Sequence, residues 1–341
     1  MSTVPNERLN LLLKIYEPFS KLDKDSIEYR ELSESGKVWE DYFQPGDSER
    51  YGYLKAQKEG KPLLDAIDCF RDAMKTPVTG LAKDMVHSFA LQSVQIENNQ
   101  MSVTQAGKLD EYLRQNVLSR YPLSEMSAAE ISKISLPDVK FLFPKTHVNQ
   151  INELRNHLVA SHWIAETSPA KAGTGFDEDE IQNLAALTMR DLGYGDYYLA
   201  PFGPRVKFGE YRSTPIGVSS NPMRVFPYHD EVPGCMERFF KWRQTAQNEG
   251  KLHPIILACQ IVAYFLHIHP FPDGNGRVSR MIMQDYMLRR GYLPVYLQAL
   301  QPGEYRKMIS DAQDGHPEQF VNRVLTSQLE QLTTLKTEEL M

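Results

Sequence analysis

From Pro254 to Leu266 the chain is a nearly unbroken apolar run, interrupted at Gln260. A run this short cannot cross a bilayer. It reads as a helix buried on all sides, so the rest of the molecule has to be built around it. Residues 267–280 then read His-Ile-His-Pro-Phe-Pro-Asp-Gly-Asn-Gly-Arg-Val-Ser-Arg. Helical spacing resumes with Met281, Met283, Met287 and Leu288, which places the polar cluster in a loop that opens at the N-terminus of a second helix. Free N–H groups and the helix dipole make such an end attractive to anions.

The remaining apolar periodicity is also mostly helical. Leu9, Leu12, Leu13, Tyr16 and Phe19 mark an amphipathic N-terminal helix, and residues 63–74 mark another. A long helix is expected over 79–98, with Leu81, Met85, Val86, Phe89, Val94 and Ile96 as its apolar positions. Others are expected near 105–118, 148–166, 178–192, 233–247 and 304–314, with one more beyond Pro317. The exception is 206–227, where Gly209, Pro215, Gly217 and Pro222 lie among β-branched and aromatic residues and favour a short β-hairpin. The expected architecture is mainly α with one hairpin. Residues 1–75 form a helical lobe without evident chemistry, and 76–341 carry the functional elements.

A formal net charge of −6 over 341 residues argues against a nucleic-acid or membrane-surface binder. Cys69, Cys235 and Cys259 are far apart and cannot all pair, which suits a reducing compartment. The first eight residues lack the basic-then-apolar pattern of a signal peptide, so a cytoplasmic protein is expected.

The loop residues form a set with a shared use. His269 titrates near neutrality and suits a general base acting on a hydroxyl. Asp273 is a hard oxygen ligand suited to Mg²⁺ between phosphates. Gly274, Asn275 and Gly276 allow the backbone to approach phosphate oxygens and donate N–H groups to them. Arg277 and Arg280 suit bidentate phosphate binding. Taken singly, each feature is an ordinary turn, packed histidine or surface arginine. His267 has no partners at metal-ligand spacing and reads as structural, as do His253, Tyr228 and His229.

The run from His269 to Arg280 resembles the Fic family motif, H-x-F-x-[D/E]-G-N-G-R-x-x-R, at all eight specified positions. A chance match is on the order of 10⁻¹⁰ per starting position. The likeness extends over about 81–321 and includes Gly209-Glu-Tyr-Arg212 and Gly291-Tyr-Leu-Pro294. It implies a Fic-type helical bundle with a hairpin flap, and a protein adenylyltransferase that moves AMP from Mg²⁺-ATP to a Ser, Thr or Tyr hydroxyl of a target protein. Phe271 resembles the family's core anchor for the loop.

Residues 93–98, Ser-Val-Gln-Ile-Glu-Asn, resemble the family's inhibitory motif in the version that precedes the catalytic one. Ser93 and Glu97 share one helix face. The resemblance implies that Glu97 pairs with Arg280 and withholds it from the γ-phosphate. The competing reading is an exposed Glu at a helix end closed by Asn98. The stretch 216–226 resembles the flap that holds the target segment, with Val218 on its nucleotide side. Tyr305, Ile309 and Gln313 fall where the family lines its adenine pocket, although the family often has Asn at the Gln313 position and packing is the competing role for Ile309. Expected partners are therefore ATP and a target protein along the flap, with a second copy of the chain kept as an option and no nucleic acid or membrane. Two other readings stay open: a de-AMPylase in which Glu97 orients water, and a nucleotide-sensing module without turnover.

Overall fold

The computed structural model describes residues 4–193, 195–199, 203–218, 221–297 and 300–338. Its centre is the helix Pro254–Ile268, buried at every residue from Ile255 onward. Gln260, the one polar interruption, is accommodated by partners from the N-terminal segment. Its Oε1 accepts the Ser48 hydroxyl at 2.8 Å and its Nε2 donates to the Pro45 carbonyl at 3.2 Å. A buried amide left without those partners would cost roughly 1–3 kcal/mol.

The loop after this helix leads into Asn275–Arg289, which packs back against it and is buried from Arg277 to Leu288. Val148–Thr167 packs across Val86–Gln95, Glu178–Met189 and the motif helix. Val232–Glu249 and Pro302–Gln313 flank the central helix, and Glu318–Glu338 lies along Lys61–Ala73. Trp39, fully buried, donates its indole N–H to the Val225 carbonyl at 3.1 Å. The N-terminal helices thus share the core of the later ones.

The N-terminal helix spans Val4–Ile15, and Leu9 and Leu13 on it are exposed. His267 packs edge-on between Trp39 and Phe43, at 4.8 and 4.9 Å between ring centroids. The three cysteines are free thiols. Among the described residues no helix is long and apolar enough to cross a membrane.

Two expectations are corrected. The helix expected over 79–98 is two helices, Val78–Asp84 and Val86–Gln95, followed by a left-handed turn at Asn98 (φ 70°). Asn98 N–H reaches the Gln95 carbonyl at 2.9 Å and Asn99 N–H the Val94 carbonyl at 3.1 Å, a Schellman closure.

The expected β-hairpin does not form among the described residues, whose sole sheet-like feature is an isolated antiparallel bridge between Tyr197 and Lys207. Residues 203–218 and 221–227 run instead as an irregular strap. Pro215, Pro222 and Pro227 have no N–H to offer a ladder. The carbonyls of Thr214 and Pro227 are taken by Arg212, and Arg224 N–H turns back to the Asn221 carbonyl at 3.1 Å. Residues 219–220, at the centre of the expected hairpin, lie outside the described residues.

Candidate active site

His269 is the first residue beyond the central helix and adopts left-handed backbone geometry (φ 54°, ψ 59°). That conformation costs a non-glycine residue roughly 1–2 kcal/mol, so the surroundings must impose it. The His269 carbonyl accepts Arg212 Nε at 2.8 Å, and its N–H closes onto the Phe265 carbonyl at 3.0 Å. Its ring Nδ1 lies 3.3 Å from the Leu266 carbonyl oxygen. A carbonyl can only accept, which assigns the proton to Nδ1 and leaves Nε2 as the basic nitrogen. Burial pushes this imidazole down to about 4, with the Leu266 contact opposing and Arg212 adding to the effect. The ring is neutral, and so basic, at physiological pH.

The following loop is clamped by Asn275. Its Oδ1 accepts the Phe271 N–H at 2.9 Å and its Nδ2 donates to the Phe271 carbonyl at 2.7 Å. Its side chain is therefore committed to the loop, and its backbone N–H is what it can offer an anion. Phe271 is fully buried. Gly274 (φ 82°) starts the motif helix with no side-chain cap, which leaves the first N–H groups of that helix without an intrahelical acceptor. A cavity of about 360 Å³ opens over this helix end, within the range of roughly 300–1,000 Å³ usual for small-molecule sites. It is lined by His269, Asp273, Gly274, Asn275, Gly276, Arg277, Glu97, Val218, Tyr305, Ile309 and Gln313. Residues from four distant segments of sequence are thereby brought together.

Arg280 and Ser93 sit beneath the cavity, both buried. Arg280 Nε donates to Ser93 Oγ, and its Nη2 to the Ser93 carbonyl and to Glu97 Oε1, each at 2.7 Å. The guanidinium also faces the Tyr305 ring at 5.3 Å. Glu97 Oε1 lies so close to Gly276 that a Cβ there would come within 2.4 Å of it. The Glu97 carboxylate thus sits at the N-terminal end of the motif helix. Burial works against the ionised form of Glu97, but Arg280, with Arg277 and Arg306, outweighs it and holds the carboxyl below its usual range. The pair therefore persists through neutral pH and weakens only as pH falls through that lowered value.

Arg277 is held by a second carboxylate that the sequence did not single out. Its Nη1 lies 3.2 Å from Glu153 Oε1 and 3.3 Å from the Thr188 carbonyl. Glu153 Oε2 accepts Asn99 Nδ2 at 2.9 Å, and the same amide reaches the Gln150 carbonyl. Burial raises the Glu153 carboxyl in spite of Arg277, with Glu97 and Asp273 adding like charge. Asn99 stands two residues after Glu97, so one turn touches the partners of both motif arginines.

At the other end of the cavity Gln313 Nε2 donates to the Ala263 carbonyl at 3.2 Å. Asn221 reaches Ser310 Oγ at 3.2 Å, and Arg224 reaches the Ser310 carbonyl at 3.0 Å and Asp314 at 2.9 Å. Neither Asn221 nor Arg224 stood out in the sequence. Tyr305 and Ile309 are buried as well as cavity-lining.

Among the described residues no group of three or more His, Cys, Asp or Glu could hold a metal ion. Asp273 is a largely exposed carboxylate whose Oδ1 accepts the Gly274 N–H at 2.6 Å. Mg²⁺ keeps several waters and takes one or two carboxylates plus substrate phosphates, so this donor suits a metal that arrives with a nucleotide.

Residues 175–287 match the Fic/DOC family profile. Protein adenylyltransferase Fic of Drosophila grimshawi is 32% identical over 144 residues, 42% of this chain and 27% of that protein. The Drosophila melanogaster protein of the same name is 30% identical over 141 residues, 41% of this chain and 26% of that one. The chain thus spans about a quarter of the length of these relatives. A Fic-domain-containing signaling protein from Bacteroides thetaiotaomicron has a similar fold, with a TM-score of 0.57 at 19% identity over 80% of this chain and 93% of that one. So does a fragment of Fic-1 from C. elegans, with a TM-score of 0.56 at 19% identity over 82% and 70% of the two chains. Residues 175–287 thus resemble the Fic/DOC family, and the chain has a mainly helical fold like that of these Fic structures.

Proposed function

We propose that the chain is a protein adenylyltransferase that moves AMP from Mg²⁺-ATP to a hydroxyl of a target protein and is restrained by Glu97. The observation that carries this reading is that the neutral His269 and the N-terminus of the Asn275–Arg289 helix line one cavity. His269 Nε2 takes the proton of a Ser, Thr or Tyr hydroxyl. The hydroxyl oxygen bonds to the α-phosphorus, the bond from that phosphorus to the bridging oxygen breaks, and pyrophosphate leaves. The Gly274–Gly276 backbone and Arg277 hold the phosphates, Arg280 the γ-phosphate end, and Asp273 the Mg²⁺. Tyr305, Ile309 and Gln313 border the base, and the strap around Val218 bears on the target. The chemistry rests on 76–341, with 1–75 as a supporting lobe.

The reading is supported by the named adenylyltransferase relatives, each of which is much longer than the matched segment. ATP labelled at the α-phosphate should mark the protein or a target in cell extract, whereas γ-labelled ATP should not. Label from the γ position alone would indicate phosphate transfer and refute the reading. Because Glu97 and His269 line the same cavity, a second reading is removal of AMP by water oriented on Glu97.

Asp273→Ala and Arg277→Ala should each weaken Mg²⁺-ATP binding in calorimetry by about tenfold or more, as expected for losing a charge-assisted contact of about 1.5–3 kcal/mol. Unchanged affinity in both variants would make the loop merely structural.

A further inference from the structure

Arg212 is 2% exposed, yet its guanidinium is neutralised by carbonyl dipoles rather than by a bonded carboxylate. Nε donates to the His269 carbonyl at 2.8 Å. Nη1 donates to the Thr214 carbonyl at 3.2 Å. Nη2 donates to the Pro227 carbonyl at 2.6 Å and reaches that of Ile268 at 3.4 Å. The Arg212 backbone N–H adds a bond to the Pro270 carbonyl at 2.9 Å. Ile268 and His269 end the central helix, where carbonyls lack intrahelical donors and a cation is favoured. Thr214 and Pro227 bracket the part of the strap that brings Val218, Asn221 and Arg224 to the cavity. Phe226, just inside that strap, lies against the His269 ring at 4.9 Å between centroids.

We propose that Arg212 is a positioning residue that clasps the strap at Thr214 and Pro227 to the His269 turn, so that the base and the surface meeting the target are held or loosened together. The strap has no ladder among its described residues to fix it, and His269 occupies a backbone conformation that its own chain does not favour. One planar, five-donor group answers both needs, and a lysine, with a point charge and a single ammonium, cannot span the same acceptors. Burial pulls the guanidinium down to about 10, which leaves it protonated at neutral pH. The inference rests on the adenylyltransferase reading for its kinetic consequence, but not for its structural one.

The test is amide hydrogen exchange by mass spectrometry on the full chain carrying Arg212→Lys or Arg212→Gln. Exchange in 213–218, 223–228 and 266–272 should rise together, by about tenfold or more, with helices 232–249 and 275–289 at wild-type protection. A rise in one segment alone, in neither, or across all helices would overturn the clasp. In a Glu97→Gly background both Arg212 variants should lower kcat by roughly 10- to 100-fold while the KM for ATP stays within about twofold. Full recovery of kcat in Arg212→Lys would mean that charge alone matters, which also overturns it. If Glu97→Gly itself transfers no AMP, the functional reading fails, and the exchange result still decides the clasp.

Discussion

Replacing Glu97 with glycine should raise AMP transfer from near background by roughly 30- to 150-fold, the factor that a restraint of about 2–3 kcal/mol imposes. The carboxylate holds Arg280 at 2.7 Å and lies against Gly276, so a γ-phosphate would meet both a committed guanidinium and a like charge. Self-modification is the simplest readout. Glu97→Gly combined with Arg280→Ala should lose the gain, because the released arginine is its cause. Equal transfer by wild type and Glu97→Gly would remove the restraint from the account. If Glu97→Gly instead abolishes release of AMP from a modified protein, the de-AMPylating reading gains.

His269→Ala should reduce transfer by about 10²- to 10⁴-fold, the usual loss for a positioned base, with nucleotide binding largely kept. A mass shift of target or enzyme measures the first effect, and calorimetry the second. Because burial holds the imidazole near 4 rather than 6.5, the acid limb of kcat/KM should lie near pH 4, with the rate flat from neutrality down to about pH 5. An acid limb near pH 6.5 would assign the titrating group elsewhere. The same shift acts on stability. The unfolded chain takes up this proton below about pH 6.5 and the folded one only near 4, so stability conferred by the neutral ring is present above 6.5 and lost as pH falls through that window.

The motif loop was legible because its parts are contiguous: the twelve residues from His269 to Arg280 bring an imidazole, a carboxylate, free backbone N–H groups and two arginines to one helix end, whatever the rest of the chain does. The approach of Glu97 to Arg280 was legible only through a family resemblance, since 183 positions separate them and periodicity carries no information at that range. Glu153 was invisible for a related reason. It is one acidic residue in an ordinary helix, and only the crossing of that helix over the motif brings it to Arg277. Asn99 carried a faint signal, as an amide next to the left-handed Asn98. The strap was misread because Gly, Pro and β-branched residues at 206–227 mimic hairpin composition. Where its carbonyls go depends on Arg212, and so on tertiary structure.

The two motif arginines each face a carboxylate across the fold: Arg280 faces Glu97, and Arg277 faces Glu153. At rest each of these arginines is matched by a carboxylate, so neither offers polyphosphate an unpaired charge. Nucleotide affinity of the wild-type chain should then depend weakly on ionic strength. Removing Glu97 uncovers one unit of positive charge at a helix end that already favours anions. Binding to that variant should tighten at low salt and fall more steeply as salt is added. On this view the ion pair would govern more than the proposed restraint on transfer. It would also keep the empty site from drawing in anions indiscriminately.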